Sequence, residues 1–169
     1  MKLHVDVQRA SDVDDLPDDS AMQAWAHAAA EQAFVRDAQL SIRVVDTDEG
    51  IDLNESYRRG DGPTNVLSFP FEERDRLDPP LLGDVVICAP VVRREAEEQG
   101  KSMHAHFAHM VVHGVLHLLG HDHQREAQAK RMESVERTVL GELGFDDPYL
   151  EGDVLEVSAQ KSSMQGQLQ

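Results

Sequence analysis

Three histidines stand at metal-ligand spacing in residues 113–123, whose sequence is HGVLHLLGHDH. His113 and His117 are four residues apart, so on a helix they lie on one face and can offer two imidazole nitrogens to one metal ion. Gly120 stands where helices commonly end in a left-handed residue, and that reversal could return His123 as a third ligand. A structural zinc is closed by four ligands, usually including cysteines, and the chain has a single cysteine. The spacing therefore favours a catalytic zinc with a position open for water.

Two further histidines lie close to this pattern. His109 is one turn before His113, and His121 lies between the second and third predicted ligands. Neither continues the spacing, so we interpret His109 as lying beside the ligands or facing substrate, and His121 as exposed. The alternative, that all these histidines are unconnected polar residues, would leave several of them among apolar neighbours without partners, which is costly.

The peptidase motif H-E-x-x-H, extended by G-x-x-H, has its histidines and glycine at the same positions. Its glutamate is the general base that activates water, and the corresponding residue in this chain is Gly114. Glycine has no side chain that could accept a proton. This chain therefore has the histidine ligands of the peptidase motif but not the glutamate that acts as its general base.

The same eleven residues resemble the signature H-G-x-L-H-L-x-G-x-D-H of the YbeY family, which are bacterial metal-dependent endoribonucleases of ribosomal RNA maturation. Residues 53–70, LNESYRRGDGPTNVLSFP, resemble a second segment of that family, and residues 82–87, LGDVVI, resemble the strand that follows it. The resemblance covers nearly the whole chain apart from the tail. It departs at His121, where tyrosine is common in the family. His121 is thus an alternative third ligand, and we retain His123 because it preserves the spacing.

The resemblance implies a zinc-dependent, single-strand-specific endoribonuclease that acts in 16S rRNA 3′-end maturation and ribosome quality control. His113, His117 and His123 would hold Zn2+, and His113 and Arg58 would be catalytic, with Arg58 clamping a phosphate. Implied partners are RNA, the small ribosomal subunit, and ribosomal proteins or an assembly GTPase. Two other functions stay open: a zinc metallopeptidase, and a non-catalytic ribosome-assembly factor with a structural zinc.

Apolar periodicity predicts a single α/β (α+β) domain over residues 1–150 and a disordered polar tail over residues 151–169. Its mixed four-stranded sheet would be packed with about five helices, as the resemblance also implies, and the zincin-like metal site would lie on one helix. The strands are predicted at residues 3–7, 39–46, 66–69 and 83–88. The helices are predicted at residues 21–36, 48–57, 91–99, 103–119 and 124–143.

The net charge of −16 opposes binding to nucleic acid over the whole surface. RNA binding would need a local basic cleft, and the candidate residues are Arg43, Arg58, Arg59, Arg74, Arg76, Arg93 and Arg94. No apolar run is long enough to span a membrane, and the first residues lack the apolar run of a signal peptide. Together with the single cysteine, these features predict a cytoplasmic protein that does not associate with a membrane.

Overall fold

The computed structural model describes residues 1–33, 36–58, 60, 62, 64–121 and 125–149, with the backbone alone at Arg58. These residues form one domain with a four-stranded mixed sheet and five α-helices, which confirms the predicted fold class. His123 and the predicted tail at residues 151–169 lie outside the described residues. The tail therefore stays a prediction.

The sheet has the strand order β1-β2-β4-β3. Its strands are β1 (Leu3–Ala10), β2 (Ala38–Val45), β3 (Val66–Pro70) and β4 (Leu81–Cys88). The strands β1, β2 and β4 are parallel, and β3 is antiparallel to β4 along the edge. β2 buries alternate residues on one face, whereas the central strand β4 buries nearly all of its residues, as strands covered on both faces do.

The helices are α1 (Asp19–Ala30), α2 (Thr47–Leu53), α3 (Ala89–Gln99), α4 (Met103–Leu118) and α5 (Glu126–Glu142). α1 begins at Asp19, two residues before the predicted start, because the Asp18 carboxylate caps the helix by accepting the Ala21 N–H at 2.9 Å. It ends at Ala30 and not at residue 36. After Ala30, the exposed residues Gln32 and Ala33 donate to carbonyls three residues earlier, as in a turn, so the described residues 31–33 do not continue the helix. A π-helical turn, Asn54–Arg58, completes the helix predicted at residues 48–57.

α4 carries the first two predicted ligands, and both of its ends follow from local chemistry. Ser102 caps its start by accepting the Ala105 N–H at 3.0 Å. At its other end Gly120 has a φ of 102°, in the left-handed region, and the His121 N–H donates to the Leu116 carbonyl at 3.1 Å. The chain therefore reverses after the helix, as the glycine predicted.

α4 lies directly on the sheet at Gly114. A Cβ atom at this position would be 2.6 Å from Cγ1 of Val85 and 3.2 Å from Cγ2 of Val66. The Ser68 hydroxyl donates to the Gly114 carbonyl at 2.8 Å in a buried hydrogen bond between β3 and α4. Position 114 therefore has no room for any side chain, and least of all for the glutamate that peptidases have there.

This close approach predicts opposite outcomes for two glycine-to-alanine substitutions. Gly114→Ala should lower the free energy of unfolding by about 1–3 kcal/mol, because overpacking against Val85 outweighs the gain in helix propensity. Gly141→Ala in α5, where nothing lies within 4 Å of the added carbon, should raise it by up to about 1 kcal/mol. Urea unfolding of both variants measures the difference, and a Gly114→Ala protein as stable as the wild type would contradict the packing.

Candidate functional site

A cleft of about 660 Å³ lies between α4, α5, α3 and the segment that leads into β3. Side chains that can bind a metal or a proton line it from all four elements: Asn65, Glu95, His109, His113, His117 and Glu136. The cleft thus collects imidazoles from one helix and carboxylates from two others. Such a convergence of polar groups in one cleft marks the candidate site.

His113 and His117 both line this cleft from one face of α4. Their ring centroids are 6.4 Å apart and both residues are partly buried. The structure therefore brings together two of the three predicted ligands in the way that the four-residue spacing indicates. The third, His123, lies outside the described residues, and so does the side chain of Arg58, whose backbone ends the π-helical turn.

Glu136 of α5 is the central residue of the site, and the sequence analysis missed it. Its carboxylate is 1% exposed and accepts from two histidines of α4. Oε1 lies 2.8 Å from His109 Nε2, and Oε2 lies 2.6 Å from His113 Nδ1. Tyr149 donates a third hydrogen bond from its hydroxyl to Oε1. Full hydrogen bonding is what makes a buried carboxylate tolerable.

The charge states of this group follow from burial and hydrogen bonding. Burial favours the neutral form of Glu136, but the donors His109 and His113 outweigh it and hold the pKa of Glu136 well below its usual range. Burial is the largest effect on His109 and lowers its pKa despite the carboxylate. Burial and the Glu136 charge raise the pKa of the Tyr149 phenol far above its usual value. The site therefore holds an ionised carboxylate facing a neutral His109 and a neutral phenol.

His109, His113 and Glu136 could hold a metal ion, because one ligand atom from each lies within 4.8 Å of the others. His109 thus lies beside a predicted ligand, as expected. His121 is partly buried where exposure was predicted, because its N–H is bonded to Leu116 at the end of α4. The sequence of α4 does not predict the role of Glu136. This residue lies in α5, after the chain reversal at Gly120, and the sequence pattern of α5 indicates only an amphipathic helix.

Comparisons with known proteins decide the family. The family model described as endoribonuclease YbeY matches residues 5–144. The chain belongs to the endoribonuclease YbeY family. The proteins named endoribonuclease YbeY of Pseudomonas putida (strain W619) and Pseudomonas entomophila (strain L48) are 53% and 52% identical to it over 152 residues, which cover 89% of this chain and 96% of each relative. The predicted family and the prediction of an enzyme are thereby confirmed.

The fold has a counterpart of low sequence identity. The solution structure of TM1509 from Thermotoga maritima matches with a TM-score of 0.55 at 21% identity, over 95% of this chain and 98% of that one. At this identity the match concerns the fold alone. Within the described part of this YbeY-family chain, no helix is both long and apolar enough to cross a membrane.

A second cluster of polar side chains, formed by Asn65, Glu95 and His106, also lines the cleft of this YbeY-family chain. Glu95 of α3 accepts from Asn65 Nδ2 at 3.1 Å and lies 2.8 Å from His106 Nε2 of α4. Burial opposes ionisation of Glu95, but the hydrogen bonds from His106 and Asn65 lower its pKa overall. Through Asn65 and His106, Glu95 therefore links the segment before β3 to both α3 and α4. The Asn65 carbonyl also accepts the Cys88 N–H at 2.9 Å, which connects this segment to the end of β4.

The Glu95 cluster predicts a pH-dependent contribution to stability. A carboxyl whose pKa is lowered on folding stabilises the fold above its unfolded value of about 4.5, and this contribution is lost as the pH falls through the folded pKa. Glu95→Gln should therefore lower the free energy of unfolding at pH 7 by about 1.5–3 kcal/mol, the range for hydrogen bonds to charged groups. The deficit should shrink in acid. Glu98→Gln, an exposed change on the same helix, is the control, and a deficit independent of pH would contradict the assignment.

Proposed function

We propose that this protein is a zinc-dependent endoribonuclease that cleaves single-stranded RNA in 16S rRNA 3′-end maturation and ribosome quality control. The observation that carries the proposal is the pair His113 and His117, which line one cleft from one face of α4. Relatives of matching length are named endoribonucleases. The proposed setting is the cytoplasm, with the small ribosomal subunit, ribosomal proteins or an assembly GTPase as partners.

The proposed zinc ligands are His113, His117 and His123. The donor set fits the metal, because imidazole nitrogens are standard zinc ligands and the left-handed turn at Gly120 redirects the chain beyond α4. When bound by these residues, zinc would lower the pKa of a water ligand and polarise phosphoryl oxygens. Cys88 supports an open site, because it is buried in the core with Val45, Val86 and Val91 and is not itself one of the residues that line the cleft.

The proposed substrate contacts are cationic side chains around the cleft. Arg58, which follows the tyrosine of the family motif, would clamp the phosphoryl oxygens with the paired donors of its guanidinium. Arg94 and Lys101 line the cleft and would attract the phosphate backbone. Arg43 is excluded from this role because it pairs with Glu49 at 2.7 Å on a different surface, beside Tyr57 and Asp84.

A peptidase function is disfavoured by packing as well as by sequence. Position 114 faces Val85 at a distance that admits no side chain. A general base could therefore not be supplied from the position that peptidases use. RNA carries its own 2′-hydroxyl nucleophile, so cleavage of RNA depends less on a base at this position.

Removal of one ligand tests the metal site. The wild type should hold about one zinc per chain, and His117→Ala should lose most of it, because two imidazoles bind zinc far more weakly than three. His121→Ala, which removes the histidine between the predicted ligands, should retain it. Elemental analysis of purified proteins gives the answer. Unchanged zinc in His117→Ala would refute the site, and loss of zinc in His121→Ala would make His121 the third ligand.

Substitution of Arg58 tests the phosphate clamp. Arg58→Ala should slow single-turnover RNA cleavage roughly 10²–10³-fold while folding and zinc content persist, because it removes charge stabilisation needed in the transition state. Arg58→Lys should be only partly active, since an ammonium keeps the charge and loses the planar fork. Arg59→Ala is the matched neighbour and should cleave like the wild type.

Melting temperature and zinc content are measured on the same preparations. If loss of cleavage by Arg58→Ala merely tracks unfolding, Arg58 is structural. If the folded, zinc-loaded variant cleaves at the full rate, Arg58 has no part in the reaction.

A further inference from the structure

The hydrogen-bond donors around Glu136 fix where the ring protons lie. Three groups that can donate, two imidazoles and the Tyr149 hydroxyl, surround the two oxygens of this carboxylate, so each ring nitrogen that faces it is assigned an N–H. His113 therefore carries its proton on Nδ1, 2.6 Å from Oε2 of Glu136. In a neutral imidazole this leaves the lone pair on Nε2, at the opposite side of the ring from Glu136. His113 lines the cleft that also contains His117.

The other two donors hold the carboxylate in place. Oε1 accepts from His109 Nε2 at 2.8 Å and from the Tyr149 hydroxyl. The Tyr149 ring lies under the Arg137 guanidinium, 5.3 Å from its centroid, and Arg137 pairs with Asp147 at 3.0 Å. The carboxylate is thus fixed from two sides and cannot turn away from His113 without breaking buried hydrogen bonds.

The same contacts oppose a role for Glu136 and His109 as metal ligands. His109 Nδ1 is buried and has no hydrogen-bond partner among the described residues. If Nε2 of His109 were to bind a metal, its hydrogen bond to Oε1 of Glu136 would be lost, and Nδ1, which has no partner among the described residues, could not replace it. Glu136 would keep only His113 and Tyr149 as donors. Loss of a hydrogen bond to a charged group costs about 1.5–3 kcal/mol.

We infer that Glu136 is a positioning residue that holds His113 with its proton on Nδ1 and presents Nε2 to the metal, without being a ligand itself. The inference rests on the metal site of the proposed function. The carboxylate also makes the imidazole more electron-rich, which strengthens the bond from Nε2 to a cation. His109 and Tyr149 act one step further out, by orienting the carboxylate.

Two measurements on Glu136→Gln test this role. Competition titration with a zinc chelator should show affinity for Zn2+ weakened roughly 10–100-fold, with the stoichiometry still at one ion per chain. Long-range ¹H–¹⁵N spectra of the metal-free protein should show His113 protonated on Nδ1 in the wild type, and at least partly on Nε2 in the variant. The amide of glutamine can donate to Nδ1, so it permits this change.

Glu133→Gln is the matched control. Glu133 lines the same cleft one turn earlier in α5, so its removal takes away the same charge without the hydrogen bond to His113. If Glu136 acted only by attracting cations, both variants would weaken zinc binding equally, and the inference would be wrong. It would also be wrong if Glu136→Gln lost its zinc as completely as His117→Ala, because Glu136 would then be a ligand.

The wild-type spectrum keeps the test decisive if Glu136→Gln does not fold. A His113 ring protonated on Nε2 in the metal-free wild type would overturn the inference without any variant. Failure of the proposed function is recognised separately. A protein that binds zinc with the expected dependence on Glu136 but cleaves no RNA would refute the nuclease and leave the positioning role intact.

Discussion

The close approach of α4 to the sheet at Gly114 is the constraint on which the site depends. With no side chain at this position, the helix backbone lies against Val66 and Val85, and the hydrogen bond from Ser68 to the Gly114 carbonyl fixes it there. The rotation of α4 about its axis is then determined by packing. This rotation turns His113 and His117 towards the cleft. The two imidazoles are therefore positioned by the core, before any metal contributes.

Most of the fold could be predicted because its signals are local. Alternation predicted the strands of the sheet, apolar periodicity predicted the helix that carries His113 and His117, and Gly120 predicted the reversal after it. The end of α1 was placed too late, because residues 31–33 keep helix propensity but are exposed and bury nothing against the core. Element boundaries depend on such tertiary contacts, which a single sequence does not contain.

The site was predicted only where its residues are close in sequence. Two imidazoles four residues apart require nothing more than helix geometry. Glu136 and Tyr149 are distant from His113 in the chain, and only the packing of α5 and of the segment after it brings them to α4. Gly114 was interpreted only as the absence of the peptidase base. The structure shows that glycine is also required there by the contact with Val85.

The arrangement of the carboxylates bears on how an acidic chain could accept RNA. Of the three carboxylates that line the cleft, Glu95, Glu133 and Glu136, the first and the last are hydrogen-bonded to histidines of α4. Glu136 is buried behind His113, and the N–H groups that donate to its carboxylate balance its charge. This charge therefore has little effect in the open part of the cleft. Arg94 and Lys101 also line the cleft, where a phosphate would enter. Because charges interact over about 8 Å at physiological salt, this local order matters more to a bound phosphate than the net charge of −16.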